Sequence, residues 1–443
     1  MTQDKLDKQR GVVQNEKRQG DNDPYGLVDY KIGDALFPVG HPYRHSTIGS
    51  MADLDAASLT TVRNWFTDHY APNNVVLVLA GDIDAATARP MVERWFGDIP
   101  RGPDVVKPDT GPVTLAAPVH EEMADQVPVT RIYRTWSGPG WTDRDAAALD
   151  LGLTVLGGLD SSRLDNALVR GEQLAVRVTA SEQQFEQISF LQATMDIKPG
   201  VDRAVAERRF DAVIADLIAN GPTQDELLRA ATGTVSAQIG ALEQVGGFSG
   251  KGATLAEGLL YAGDPAYYKK VLAEMATLTP ADVKAALQRW LTRPAYTLAV
   301  VPGERTEDGG PMGGWGNEGT TPAPAPDPHV PAAPLATGPH RDFPPVAPVG
   351  ELTFPAVEHA TLSNGIPVTL ARRTAIPKVS LAMTFDAGNA ADGAAHAGTQ
   401  SLMMELLQEG TTSRNAEEIA IDQERLGASI GTGTSTDSST VSM

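Results

Sequence analysis

The feature that most restricts how this chain can fold is an internal repeat. Met51-Ala52-Asp53-Leu54 recurs as Met275-Ala276-Thr277-Leu278. Each copy leads into a helical pattern ending in large apolar residues, Trp65-Phe66 in one and Trp290-Leu291 in the other. Each then breaks at a proline (Pro72, Pro294) and enters an apolar stretch, Val75 to Ala80 or Tyr296 to Val301. A glycine closes both, Gly81 and Gly303. Helix, breaker, buried strand and turn in the same order predict duplicated domains. At 443 residues the chain also exceeds what one core ordinarily holds.

The first copy occupies residues 1–112 and the second 113–303. Within the second, a strand-like run from Val127 to Thr135 precedes helical patterns over Asp143–Leu156 and Val201–Ala219. Asn220-Gly221-Pro222 ends the latter, and another helix starts near Thr223. Short strands among long helices predict an α+β class, antiparallel sheets packed with helices, rather than a doubly wound sheet. Residues 304–350 read as a linker. Twelve of the 32 prolines fall between Pro302 and Gly350, a composition that favours extended conformers over a core. Patterning resumes at Glu351. Leu362-Ser363-Asn364-Gly365-Ile366 predicts a turn into a strand over Pro367–Ala371, followed by a strand over Val379–Phe385 and a helix over Gly398–Leu407. Residues 351–443 thus form the start of a further unit, closing in a Ser/Thr-rich stretch whose strand edge has no visible partner.

A net charge of -20 argues against nucleic-acid and anionic-membrane partners. Without cysteine, any metal must be held by His, Asp or Glu. No apolar run approaches the ~20 residues of a membrane span, and Met1–Arg10 has no secretory h-region. Glu16 is the candidate metal ligand. With Asp4–Arg18 helical, it lies three and four residues after Val13 and Val12, on or beside the apolar face they form with Leu6. A carboxylate there requires a metal, a salt bridge from Arg10 or Arg18, or exposure at the edge of the face. Other signals are weaker. His41 and His45 sit in a Gly/Pro loop; Gly250-Lys251-Gly252 lacks the Ser/Thr of a phosphate loop; Ser249 fails the nucleophile-elbow pattern; Arg163 reads as a helix-start surface group.

Glu16 stands within RGVVQNEKRQ, followed by Asp23-Pro24-Tyr25-Gly26, Gly40-His41-Pro42-Tyr43 and Tyr70-Ala71-Pro72-Asn73-Asn74. With Leu156-Gly157-Gly158, Ser161-Ser162-Arg163-Leu164 and Ala262-Gly263-Asp264-Pro265, these resemble the pitrilysin/insulinase family of inverted-motif zinc peptidases, in family order. The resemblance implies a helix carrying His-x-x-Glu-His, which supplies two ligands and the general base, and a later Glu as third ligand, matched by Glu16. Three protein ligands leave one zinc position for an activated water. This sequence contains no His-x-x-Glu-His, and the motif's first copy is expected upstream of Met1. In the second unit Ser401, Met404 and Glu405 replace its His, Glu and His, and His396 lies too far before them. The expectation is therefore part of a zinc metalloendopeptidase or oligopeptidase acting on unfolded peptides, unable alone to hold zinc or cleave. The alternative is a non-catalytic scaffold or partner subunit of an active peptidase chain. The sequence itself leaves the location unknown, compatible with cytoplasm or periplasm; family analogy points to a periplasmic or exported one.

Overall fold

The computed structural model describes residues 2–315, 348, 350–351 and 354–443. The N-terminal region is helical: α1 (Gln3–Asn22), α2 (Val28–Leu36), α3 (Met51–Ala56), α4 (Leu59–His69) and α5 (Ala85–Phe96). Thr2, Ser50, Ser58 and Asp84 cap α1, α3, α4 and α5, each accepting from a backbone N–H of the first turn.

A five-stranded sheet follows, built from β1 (Val119–Asp125), β2 (Arg131–Pro139), β3 (Ala175–Gln184), β4 (Ile188–Ile197) and β5 (Tyr296–Pro302). Their order is β1-β5-β2-β4-β3. The β1–β5 ladder is parallel and the other three are antiparallel. The helices between strands are α6 (Ala146–Leu153), α7 (Arg203–Asn220), α8 (Gln224–Ala241), α9 (Lys251–Ala262), α10 (Tyr267–Met275) and α11 (Pro280–Leu291). Alternation along the strands splits the core in two. Ile132, Trp136, Leu191 and Ala299 join α6, α7 and α11 on one face. Tyr133, Tyr296, Leu298 and Val300 meet Leu27, Ile32, Leu36 and Phe37 of the N-terminal region on the other. The α+β reading holds, with one parallel pair in the otherwise antiparallel sheet.

Helix α6 runs on into a π-helical turn, Thr154–Gly158. A Cβ at Gly157 would lie 2.5 Å from the Ala180 nitrogen, so glycine lets this turn lie against the edge strand β3.

Three expectations differ from the structure. The first concerns Val75–Ala80, which is extended but joins no ladder among the described residues. Its counterpart β5 is paired between β1 and β2 and covered on both faces by the two core clusters. With no such neighbours, Val75, Leu77 and Leu79 stay 57%, 49% and 48% exposed. The second concerns the reading of a linker from residue 304. Residues 304–315 pack on the N-terminal region: Arg305 pairs with the buried Asp125, Ser46 donates its N–H to Gly313 O at 2.9 Å, and Trp315 stacks on His45. Gly313, at φ 79°, fits because a Cβ would meet Ser46 and the Tyr30 ring at 2.5–2.7 Å. The remainder of the proline-rich segment, apart from Pro348 and Gly350, lies outside the described residues.

The third concerns the chain's last strand. Residues 354–443 hold a hairpin of β6 (Val357–Thr361) and β7 (Pro367–Ala371), then β8 (Ala382–Phe385), α12 (Thr399–Leu406), α13 (Ala416–Leu426), β9 (Gly431–Thr434) and β10 (Ser439–Ser442). The Ser/Thr-rich β10 is the central strand of β8-β10-β9, hydrogen-bonded on both edges. Sequence adjacency could not show β8, more than fifty residues earlier, as its partner. Helix α13 docks on α8: Glu424 accepts from Ser161 and from the buried Arg229, and Arg425 pairs with Asp225 at 2.9 Å.

Candidate functional site

Helix α1 contacts the rest of the molecule along a polar stripe. Arg10 donates to Leu54 O and Ala57 O at 2.9 and 2.6 Å, and Gln14 donates to Asp55 at 2.7 Å. Lys17 is 1% exposed; its Nζ donates to Asp21 at 3.3 Å, the Tyr30 hydroxyl at 3.1 Å and Met312 O at 3.3 Å. The Tyr30 hydroxyl in turn donates to Asp21 at 2.8 Å, and burial, with that carboxylate beside it, pushes its pKa well above the usual range. These positions recur every three or four residues, so they share one helix face.

Glu16 points elsewhere. It lies four residues after Val12, which is 51% exposed, and is itself exposed, with no side-chain hydrogen bond or ion pair to a described residue. Of the arrangements open for Glu16, the structure has exposure; the inward position is filled by its neighbour Lys17. The sequence reading missed this lysine because, besides Asp21 one turn on, its partners come from α2 and from residue 312, remote along the chain.

Ser401, Met404 and Glu405 share α12 but not one environment. Ser401 donates to Asn389 at 3.2 Å, Met404 is 3% exposed and Glu405 faces solvent. His41 caps a short 3-10 turn, accepting from Tyr43 N at 3.2 Å, and stacks on Phe37 at 4.5 Å; burial lowers its pKa. Arg163 forks onto Glu226 at 2.8 and 2.9 Å and reaches Asp216 at 3.0 Å, clamping the α7–α8 corner. Lys251 opens α9, capped by Gly250. Zinc tested against these donors does not fit: among the described residues no three His, Cys, Asp or Glu side chains converge, and Glu16 stands alone.

The molecule offers concave surface on the sheet face nearer α2. A cavity of about 670 Å³ is lined by Tyr30, Tyr43, Gln183, Phe190, Gln192 and Trp315. A second, of about 490 Å³, adjoins it by sharing Tyr43 and Phe185. Among the described residues no helix is long and apolar enough to cross a membrane.

Residues 56–233 match the family model for the peptidase M16 inactive domain. The chain is 24% identical over 235 residues to the zinc protease PqqE of Helicobacter pylori, covering 51% of this chain and 52% of that one. It is 28% identical over 232 residues to an uncharacterised zinc protease of Mycobacterium leprae, covering 50% of each. It therefore spans about half the length of these curated relatives. Among solved structures, a protease from Helicobacter pylori shares the fold, with a TM-score of 0.62 at 19% identity over 68% of this chain and 73% of that one. The matched inactive domain and the relatives named zinc proteases make the chain similar to M16 peptidases over about half its length, in line with the pitrilysin/insulinase resemblance of its motifs.

Proposed function

We propose that this chain is part of a zinc-dependent endopeptidase or oligopeptidase, inactive by itself, and helps enclose an unfolded peptide. The inactive-domain match at residues 56–233 carries this reading. The two adjoining cavities on the sheet face suit an extended peptide. In this reading residues 1–112 are the C-terminal part of a first peptidase-like domain, 113–303 a second, non-catalytic one, 304–350 a connection and 351–443 the start of a degenerate unit. Glu16 is the third zinc ligand, donated to a site whose histidines and general base come from a His-x-x-Glu-His helix outside this chain. Its exposed carboxylate, unpaired among the described residues, supports that role, because none of them competes for it.

Reconstitution tests this. The purified chain is assayed alone and after co-expression with a polypeptide carrying the His-x-x-Glu-His helix of a relative, using ICP-MS and a quenched fluorescent peptide. Alone, the expected result is zinc well below one per chain and no cleavage. Together, zinc and cleavage appear and are lost in Glu16→Gln. One tightly held zinc in the isolated chain would overturn the proposal, as would reconstituted cleavage indifferent to Glu16. The scaffold reading, favoured by Met404 being buried in place of a base, predicts that the two polypeptides copurify and that Glu16→Gln leaves cleavage unchanged.

A further inference from the structure

The smaller cavity has a chemistry of its own. Four rings line it, Tyr43, Trp141, Phe185 and Tyr261, contributed by four separate segments. Trp141 meets Tyr261 edge-on at 6.0 Å between centroids, and Tyr43 lies 5.7 Å from Phe185. Two carboxylates complete the wall, Glu186 from the β3–β4 turn and Glu257 from α9. Glu257 precedes Tyr261 by one helical turn, so carboxylate and ring present a common face.

The chain places one cation of its own beside this wall. Lys107 Nζ bonds Glu186 at 2.8 Å and lies 5.7 Å from the Tyr261 ring centroid. That ion pair answers one carboxylate. Glu257 has no hydrogen bond or ion pair to a described residue, and partial burial raises its pKa.

These features discriminate between ligands. An anionic group would face two carboxylates. A neutral apolar group would pack on the rings but leave Glu257 further desolvated with no compensating partner. A cation gains the negative ring faces together with the charge-assisted bond to Glu257. We propose that this cavity receives the basic side chain, lysine or arginine, of a bound peptide. The subsite rests on the peptide-enclosing reading for the nature of its ligand and adds to it a preference for a positively charged residue. Its size, about 490 Å³, accommodates a long side chain with adjoining backbone.

Isothermal titration of the full chain with two acetylated, amidated pentapeptides tests this. Both are alanine peptides, one with a central lysine and the other with norleucine, which keeps the stem and removes the charge. The expected result is binding of the lysine peptide tighter by about tenfold. Glu257→Gln, checked for folding by circular dichroism, should abolish the difference, by weakening the lysine peptide and relieving the desolvation that penalises the norleucine peptide. Equal affinities in the unsubstituted chain overturn the subsite, as do binding of neither peptide and a lysine preference that survives Glu257→Gln. Cleavage is not measured, so failure of zinc reconstitution alongside a lysine preference dependent on Glu257 sinks the proposed catalytic assembly and leaves the subsite standing.

Discussion

Two adjacent residues on α1 illustrate how side-chain environment, rather than sequence position, sets energetic weight. Lys17 is buried against Asp21, with a side-chain exposure of 0%. Removing its ammonium leaves that carboxylate without its cation, so Lys17→Ala is expected to cost roughly 3–5 kcal/mol. Glu16→Gln, at an exposed and unpaired position, should stay within about 0.5 kcal/mol. Urea unfolding of both variants checks the contrast, and equal losses would contradict the assigned inward face. Glu182 on β3 supplies a pH test. Its Oε1 is buried without a partner among the described residues, while Oε2 accepts from Gln184 at 3.1 Å. Burial pushes its pKa up to about 8. The folded state therefore keeps this proton through a pH range in which the unfolded chain has lost it. Stability contributed by the site falls as pH rises from the ordinary glutamate value towards 8 and levels beyond it. Glu182→Gln cannot ionise, so it should gain on the unsubstituted chain in melting temperature between pH 5 and 8.5. A constant difference across that range would show that the carboxyl does not titrate there.

At the scale of elements, the internal repeat separates pattern from environment. The helix–breaker–strand unit is legible in both copies, and both helices form, α4 capped by Ser58 and α11 by Thr279. Their apolar ends differ: Trp65 and Phe66 are 60% and 43% exposed, whereas Trp290 and Leu291 are 6% and 4% exposed. Trp290→Ala is expected to cost about 3–5 kcal/mol through a core cavity, and Trp65→Ala less than about 1 kcal/mol. Denaturation midpoints of the two variants measure this, and comparable costs would mean that the first copy is buried in solution. The same asymmetry explains why Tyr296–Pro302 is a strand and Val75–Ala80 is not. A run of β-branched and other apolar residues favours extended backbone, but a ladder needs neighbours on its edges.

Across the whole molecule, segments distant in sequence build the surfaces that matter. The N-terminal α2 covers one face of the five-stranded sheet, and α13 anchors the C-terminal segment on α8 through Glu424 and Arg229. The aromatic cavity gathers residues 43, 141, 185 and 261, whose spacing matches no helical or strand period. By itself the sequence determined the α+β class, most helix positions, the Asn-Gly hairpin and Glu16 as the candidate ligand. Periodicity, caps and turn residues act over a few neighbours and are written locally. Tertiary structure alone decided which helix faces are buried, that Lys17 rather than Glu16 points inward, that residues 304–315 pack, and that β10 is a central strand. Those outcomes depend on burial and pairing with remote segments, and a local pattern cannot specify which segment arrives.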